Sequence, residues 1–284
     1  MKAFVFGLGF VGEAFAQSLM AEGWRVGATA RRAEQRADLK ARGIEPANPA
    51  DPAEMAQAIA DAAAILVAAP PGADGCPGLN ALVPAIAAAG AFPDWIGYLS
   101  TTGVYGDRGG GWVNEDSRLA AQSPEGGRRV AAERDWRQVG RGMGLTVTTF
   151  RLPGIYGPGR SALDRLRDGT ARRIEKPGHV FSRAHRDDIV AALRASMAKP
   201  RAAGIYNVCD DEPAPGEAVI DYAARLLGVE PPPLTTDIST ASRRFYAENK
   251  RVSNALAKAE LGWRPAYPTY REGLKAIFRQ TNQA

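Results

Sequence analysis

The sequence predicts an α/β fold, a doubly wound parallel sheet followed by a small C-terminal lobe, and three observations predict it. Short apolar runs alternate with stretches of helical spacing through the N-terminal half, the pattern of a parallel sheet with helices on both faces. The first of those runs passes directly into three closely spaced glycines and then a helical stretch. Beyond Pro153 the composition turns to Gly, Pro and Arg and the apolar runs shorten, as in a lobe assembled from loops and insertions. With 284 residues, 45% of them apolar, the chain can bury a substantial core, in one large domain or in a domain with a lobe.

The N-terminal stretch organises the rest. Ala3 to Phe6 is an apolar run, Gly7, Gly9 and Gly12 follow at once, and from Glu13 to Ala21 the residues Ala14, Phe15, Ser18 and Leu19 recur at helical spacing. This is strand, tight turn, helix. Gly7 lets the chain leave the strand in a turn closed to other residues, Gly9 lets backbone approach a pyrophosphate, and Gly12 lets the helix lie close to the strand. The amides of the turn, Phe10 and Val11 among them, and the positive end of the helix then face the phosphates. The spacing therefore predicts a dinucleotide site on a Rossmann core.

Which dinucleotide is decided at the end of the second strand, about 20 residues on. The run Trp24 to Ala30 closes with Thr29-Ala30-Arg31-Arg32 and carries no carboxylate to hold the ribose 2′-hydroxyl of NAD. Two guanidinium groups instead offer forked donors and full charge to a 2′-phosphate, so NADP(H) is expected over NAD(H). The alternative is that Arg31 and Arg32 are solvated charges ahead of a helix beginning near Ala33.

The core continues with a polar helix to Arg42, a short strand from Gly43 to Pro46, and an Ala-rich helix from Pro52 to Ala60 opened by Asp51 as N-cap. A compact strand from Ala64 to Ala69 ends in Pro70-Pro71-Gly72, and Leu79 to Ala89 is the returning helix. Ligands of such folds bind at the carboxyl ends of the strands. There Ala68, Ala69 and Pro70 offer a bulk-free surface for adenine or the nicotinamide ribose, although alanine's helix propensity is a competing explanation of this segment. The next strand starts at Trp95 and ends in three hydroxyls, Ser100, Thr101 and Thr102, which can donate to a substrate carbonyl or accept from a hydroxyl.

From Trp95 to Gly106, reading Trp-Ile-Gly-Tyr-Leu-Ser-Thr-Thr-Gly-Val-Tyr-Gly, the chain resembles the extended and atypical branches of the short-chain dehydrogenase/reductase superfamily, the NAD-dependent epimerase/dehydratase-like proteins. The likeness continues through Arg151-Leu152-Pro153-Gly154-Ile155-Tyr156-Gly157-Pro158-Gly159-Arg160 and His185-Arg186-Asp187-Asp188-Ile189. It extends through Tyr206-Asn207-Val208, Asp210 to Pro213, Lys250 to Asn254 and Leu261-Gly262-Trp263, in the family's order over nearly the whole length. The resemblance implies that Thr101, four residues before Tyr105, helps to orient the substrate. It also implies a Tyr-x-x-x-Lys pair on the following helix, with tyrosinate as acid/base and lysine binding the nicotinamide ribose. Aligning Ala132-Glu133 with the family's Ala-Glu puts Glu125 in the tyrosine's place and Arg129 in the lysine's. Two readings follow. Either Arg129 keeps the ribose contact and Glu125 serves as a retuned acid or base, or the two form an i,i+4 surface pair on a helix, opened by Ser123-Pro124, that only supports the fold. Tyr105 or Tyr156 could then substitute as proton donor. Pairing as a homodimer through helices flanking the sheet is a further implication of the family.

The expected division is a dinucleotide-binding core over residues 1–152 and a mostly substrate-binding lobe over 153–284, with 184–210 returning a helix and a strand to the core. Leu145 to Arg151 is the sixth core strand. The polar loop Asn114-Glu115-Asp116-Ser117 is expected to be solvated. Arg160, Arg172, Arg173 and Arg183 would suit an anionic group on a small-molecule substrate, against the alternative that they are solvated or paired. His185, beside Asp187-Asp188, is expected to secure a helix rather than to act in chemistry. Ile205 to Val208 is a strand, Gly216 to Leu227 a helix closed by Gly228, and a terminal helix runs from Arg271.

The net charge of +5 comes from 36 basic and 31 acidic residues without a dense cluster, and the isoelectric point near 9.3 is too mild for a nucleic-acid argument. Cys76 and Cys209 stand far apart without ligand spacing, so neither a disulfide framework nor a metal site is expected. No apolar segment approaches the ~18 residues that span a bilayer, and a cytoplasmic protein without membrane contact is expected. Together these readings point to an NADP(H)-binding reductase or epimerase-like enzyme on a small polar carbonyl or hydroxyl compound. The alternative is a non-catalytic NADP(H)-responsive binding or regulatory protein.

Overall fold

The computed structural model describes residues 1–201, 204–239, 243 and 245–282. Parts of the expected lobe, including its last two residues, lie outside that range. In chain order the strands are β1 (Lys2–Phe6), β2 (Arg25–Thr29), β3 (Ile44–Ala47), β4 (Ala64–Val67), β5 (Trp95–Thr101), β6 (Trp112–Val113), β7 (Val147–Leu152), β8 (Gly154–Tyr156), β9 (Arg173–Ile174), β10 (Arg183–His185), β11 (Ile205–Asn207), β12 (Leu234–Thr235) and β13 (Arg251–Val252). The helices are α1 (Phe10–Met20), α2 (Ala33–Ala41), α3 (Pro52–Ile59), α4 (Pro77–Ala89), α5 (Pro124–Met143), α6 (Ala162–Arg167), α7 (Arg186–Ala198) and α8 (Gly216–Leu227), followed by Ala255–Leu261 and Tyr270–Asn282.

β1 and β4 are buried along their whole length, which only strands covered on both faces can be. They occupy the middle of a seven-stranded parallel sheet of order β11-β7-β5-β4-β1-β2-β3. The register sets Phe4 opposite Gly27 on one side and Ile65 on the other. Because strand side chains alternate in direction, β5 serves two cores. Ile96 and Tyr98 join Phe4, Phe6, Leu82 and Trp136. Trp95 instead sits in a file of rings with Phe15, Phe150 and Tyr206, neighbouring centroids 6.1–6.2 Å apart, and its indole donates to Ser196 Oγ at 3.1 Å. At the amino end of the sheet Lys2, although only 5% exposed, is ion-paired with both Glu45 and Asp61.

The chain divides into two compact units, residues 1–101, 124–151 and 192–206 in one and 102–123, 152–191 and 207–284 in the other. The second unit contains three short parallel strand pairs, β10 with β8, β12 with β9, and β13 with β6. Its core gathers Tyr156, Leu163, Ile220, Ala223, Leu274 and Ile277.

Several boundaries differ from expectation for local reasons. α1 begins at Phe10, three residues before Glu13, because Gly9 is already the extended N-cap residue (φ −99°, ψ −164°) and Gly12 is taken into the first turn. β4 stops at Val67, since the amides of Ala68 and Ala69 both turn back onto the carbonyl of Phe6, at 2.9 and 3.1 Å. α4 starts two residues early, with Pro77 in its first turn, where a missing N–H costs nothing. The Asp51 cap is as expected, its carboxylate accepting from the amides of Ala53 and Glu54. Among the described residues no helix is long and apolar enough to cross a membrane, no group of side chains could hold a metal ion, and both cysteines are buried free thiols.

Candidate functional site

The three glycines of the first turn are distinguished by what a side chain would meet there. At Gly7, φ is +95° and a Cβ would stand 2.7 Å from the amide nitrogen of Ala69, so the turn off β1 admits only glycine. At Gly12 a Cβ would meet the Gly7 carbonyl at 2.8 Å and Val5 at 3.0 Å, which is close helix–strand packing. At Gly9 it would meet nothing within 4 Å, and the residue is exposed. The cradle is therefore open only at Gly9, over the first turn of α1, where Gly9 contributes no side-chain acceptor. A diphosphate fits such a place: backbone amides, the positive helix end, and no Cβ in the way.

Beside the turn, at the carboxyl ends of β1, β2 and β4, lies a cavity of about 190 Å³ whose walls include Gly7, Thr29, Ala30, Arg31, Gln35 and Ala69. Thr29 ties the two halves together, its Oγ1 accepting from the Gly7 amide at 2.9 Å. The sequence pointed to Arg31, Arg32, Ala68, Ala69 and Pro70 here. Arg31 and Ala69 line the cavity, whereas Arg32 is the N-cap residue of α2, its amide donating to Gln35 Oε1 at 3.4 Å. Both arginines are exposed. Thr29 and Gln35 were not singled out from sequence. Their signals, the last residue of a strand and the third residue of the helix after it, are visible only once those bounds are known.

The carboxyl end of β5 carries the hydroxyls, but not with one purpose. Ser100 is 5% exposed and donates to Glu133 Oε1 at 2.6 Å. Glu133 also accepts from Arg151, Nε to Oε1 at 3.1 Å and Nη2 to Oε2 at 2.8 Å. Both members of that ion pair are 2% exposed. Ser100 is thus a structural hydroxyl, and Thr101 next to it is half-buried. One turn before Glu133 on α5, the Arg129 guanidinium donates to the carbonyl of Leu99 and lies 5.9 Å from the centre of the Tyr98 ring. A further turn back is Glu125, 63% exposed, its Oε1 3.6 Å from Arg128 Nη2. The expected i,i+4 pair of Glu125 with Arg129 is therefore corrected to an i,i+3 pair with Arg128, because the strand carbonyl draws Arg129 inward.

In the second unit the proposed substitute donors are committed elsewhere. Tyr105 is fully buried and its hydroxyl donates to Asn207 Oδ1 at 2.7 Å. The same Asn207 gives its backbone N–H to Glu115 Oε1 at 2.7 Å, so Glu115 is a structural acceptor, while Asn114 and Asp116 in the same loop are exposed as expected. The Tyr156 hydroxyl is enclosed against Gly273, and burial pushes its acidity well below that of an ordinary phenol. Neither ring can hand a proton to a substrate in this conformation.

His185, 1% exposed, packs 4.1 Å from the Tyr267 ring and edge-on to Tyr156. Its Nδ1 accepts the Asp187 amide at 3.2 Å, and burial lowers its pKa to about 4. Asp188 anchors the C-terminal segment through the amides of Ala266 and Tyr267, and burial raises its pKa to about 6. Of the four arginines considered for an anion, Arg173 is ion-paired with Asp221 and Arg183 donates to the carbonyls of Phe181 and Ala214. Arg160 and Arg172 are exposed.

A parallel sheet with a glycine turn between its central strand and first helix, opening beside a cavity at the carboxyl ends of the strands, defines a dinucleotide-binding α/β protein. Within that class the chain belongs to the NAD dependent epimerase/dehydratase family, which it matches over residues 3–209. It is 32% identical over 180 residues to the 3-diazoavenalumate denitrifying reductase of a Streptomyces species, an alignment spanning 57% of this chain and only 58% of the reductase. It is 28% identical over 280 residues to protein YeeZ of Escherichia coli K12, covering 94% of this chain and 96% of YeeZ. Among solved structures, a conserved protein of unknown function from Silicibacter pomeroyi DSS superposes with a TM-score of 0.88 at 42% identity over 99% of each chain. The UDP-glucose 4-epimerase of Thermotoga maritima, solved with UDP-glucose, superposes with a TM-score of 0.83 over 100% of this chain and 99% of the epimerase. At 18% identity that is a likeness of fold.

Proposed function

We propose that the protein is an NADP(H)-dependent reductase or epimerase-like enzyme acting on a small polar carbonyl or hydroxyl compound. The observation that supports the cofactor choice is Arg31 on the wall of the cavity beside the glycine turn, where a carboxylate would be needed for NAD. In this reading the amides around Gly9, Phe10, Val11 and Gly12 hold the diphosphate. Arg31 receives the 2′-phosphate, with Arg32 adding charge from the helix cap. Ala68, Ala69 and Pro70 give a flat wall to the nucleoside. Arg129 reaches the nicotinamide ribose with the donors that Leu99 does not use, and Thr101 orients the reacting group. When bound, the cofactor supplies or takes the hydride. Residues 153–284 contribute most of the substrate contacts, and pairing as a homodimer belongs to the same proposal. The Streptomyces relative, named as a reductase, favours reduction over epimerisation.

The test is calorimetry with NADPH and NADH on the purified protein and on Arg31→Ser. A charge-assisted contact to the 2′-phosphate predicts at least about tenfold tighter NADPH binding, lost in the variant. Equal affinities overturn the preference. The second reading, a non-catalytic NADP(H)-responsive protein, is favoured by the ion-paired, exposed Glu125. It would be supported by NADPH binding without oxidation across a broad panel of substrates.

A further inference from the structure

We infer that Thr29 and Gln35, with Arg31, read the cofactor's 2′-position, and that Thr29 does so through the same hydroxyl that holds the glycine turn. The inference rests on the reading of the cofactor as NADP(H). Of the side chains lining the cavity beside the turn, only Thr29, Arg31 and Gln35 are polar. Thr29 Oγ1 already accepts from the Gly7 amide at 2.9 Å, so what the hydroxyl has left to give is its proton. Gln35 Oε1 likewise accepts from the Arg32 amide at 3.4 Å, which leaves the side-chain nitrogen as donor, and a guanidinium only donates. Every polar side chain of this wall therefore has a donor to spare, and both of its acceptor oxygens are engaged. A ribose 2′-hydroxyl, whose proton seeks an acceptor, is poorly matched there. A 2′-phosphate, which as a dianion only accepts, is matched at each of the three groups.

Thr29 matters twice because of where the ladder stops. The pairing of β1 with β2 runs from Lys2 opposite Arg25 to Val5 opposite Ala28, and beyond it the chain leaves β1 through Gly7 at φ +95°. The Thr29 side chain takes the Gly7 N–H, and the Gly7 carbonyl accepts the Gly9 amide at 2.9 Å. Hydrogen bonds thus lead from Thr29 through Gly7 to Gly9, the residue over which the cradle opens. A hydroxyl that donates to an anion becomes a better acceptor, so a 2′-phosphate at Thr29 tightens the hold on Gly7 and steadies the amides offered to the diphosphate. Branching at Cβ limits the rotamers through which Oγ1 could release the turn. Thr29 is in this way a ligand for one anion and a positioning residue for the other.

Calorimetry with NADPH and NADH on Thr29→Val separates the two roles, since valine keeps the branched shape and removes donor and acceptor together. Loss of the Gly7 anchor weakens both cofactors alike, whereas loss of the donor weakens NADPH alone. The NADPH-to-NADH affinity ratio should therefore fall about tenfold or more, the range of a hydrogen bond to a charged group. Thr29→Ser, which keeps the hydroxyl, should restore most of it. Gln35→Glu keeps an acceptor for the Arg32 amide and suits a first helical turn, yet sets a like charge on the wall and should lower the ratio about three- to fivefold. Should Thr29→Val fail to fold, the wild-type protein still decides by NMR. 2′-AMP, which has the 2′-phosphate and no diphosphate, should shift the Gly7 amide proton where adenosine does not. Equal weakening of both cofactors by Thr29→Val, a ratio unmoved by Gln35→Glu, or a Gly7 signal that stays in place at saturating 2′-AMP would overturn the inference. Equal affinity of the wild-type protein for NADPH and NADH would instead bring down the NADP(H) reading itself.

Discussion

The Ser100–Glu133–Arg151 cluster offers the sharpest test of how the candidate site is held. Glu133 and Arg151 are each 2% exposed and joined by two hydrogen bonds, with Ser100 donating the third at 2.6 Å. Glu133→Leu keeps the side-chain volume but leaves a buried guanidinium without its counter-ion, which should cost about 3–5 kcal/mol. Arg151→Met should cost a similar amount for the mirror-image reason. Because the penalty is that of the abandoned charge, removing both partners should recover most of it, and the double variant should show a coupling of about 2 kcal/mol or more. Urea unfolding of the four proteins, followed by intrinsic fluorescence and compared at constant m, measures this. Single variants that lose under about 1 kcal/mol, or a double variant whose loss is the simple sum, would refute the claim that the pair is desolvated and mutually dependent.

Other outcomes follow from single contacts. Asp210 is 3% exposed, and burial raises its pKa to about 8. The native state holds that proton where the unfolded chain has released it, so its contribution is present at acid pH and lost as pH rises towards 8. Asp210→Asn should therefore gain stability relative to wild type at pH 9 and not at pH 4, up to an upper bound of about 5 kcal/mol, in melts across pH. His185 runs the other way. With a pKa near 4 in the fold, it supports the fold fully above the ordinary imidazole value and withdraws that support as pH falls below it, so His185→Gln should flatten the acid limb of the same melts. Asp51→Ala removes the acceptor for the amides of Ala53 and Glu54 and should cost about 1 kcal/mol. Gly7→Ala puts a Cβ 2.7 Å from the Ala69 amide and should abolish NADPH binding in calorimetry.

What could be read beforehand was whatever depends on neighbours in sequence. The glycine turn, the Asp51-Pro52 cap and the Gly216–Leu227 helix with Gly228 at φ +68° each follow from the conformational limits of a few adjacent residues. The start of α1 was misplaced because glycine's poor helix propensity argues against Gly12 being helical, while packing on Val5 and Gly7 decides that it is. The roles of Ser100, Glu115 and Tyr105 were out of reach for another reason. Their partners lie 33, 92 and 102 residues away, and nothing in a hydroxyl or carboxylate announces whether a distant group or a substrate will take its hydrogen bond. Glu125 is the converse: its identity was plain, and its meaning depended on finding it exposed beside Arg128 rather than enclosed beside Arg129.

The strand order also sets a timetable for synthesis on the ribosome. β1 to β5 are contiguous in the sheet and all lie within the first 101 residues, so five of seven strands can pair while the chain is still emerging. The edge strand β11 arrives only after residue 205, and β6 waits for β13 at Arg251–Val252 before it gains its partner. A nascent chain stalled between those points would carry the glycine turn among five paired strands while β6 still lacks its partner. Early cofactor capture would then act on that half-made protein as a stabilising ligand.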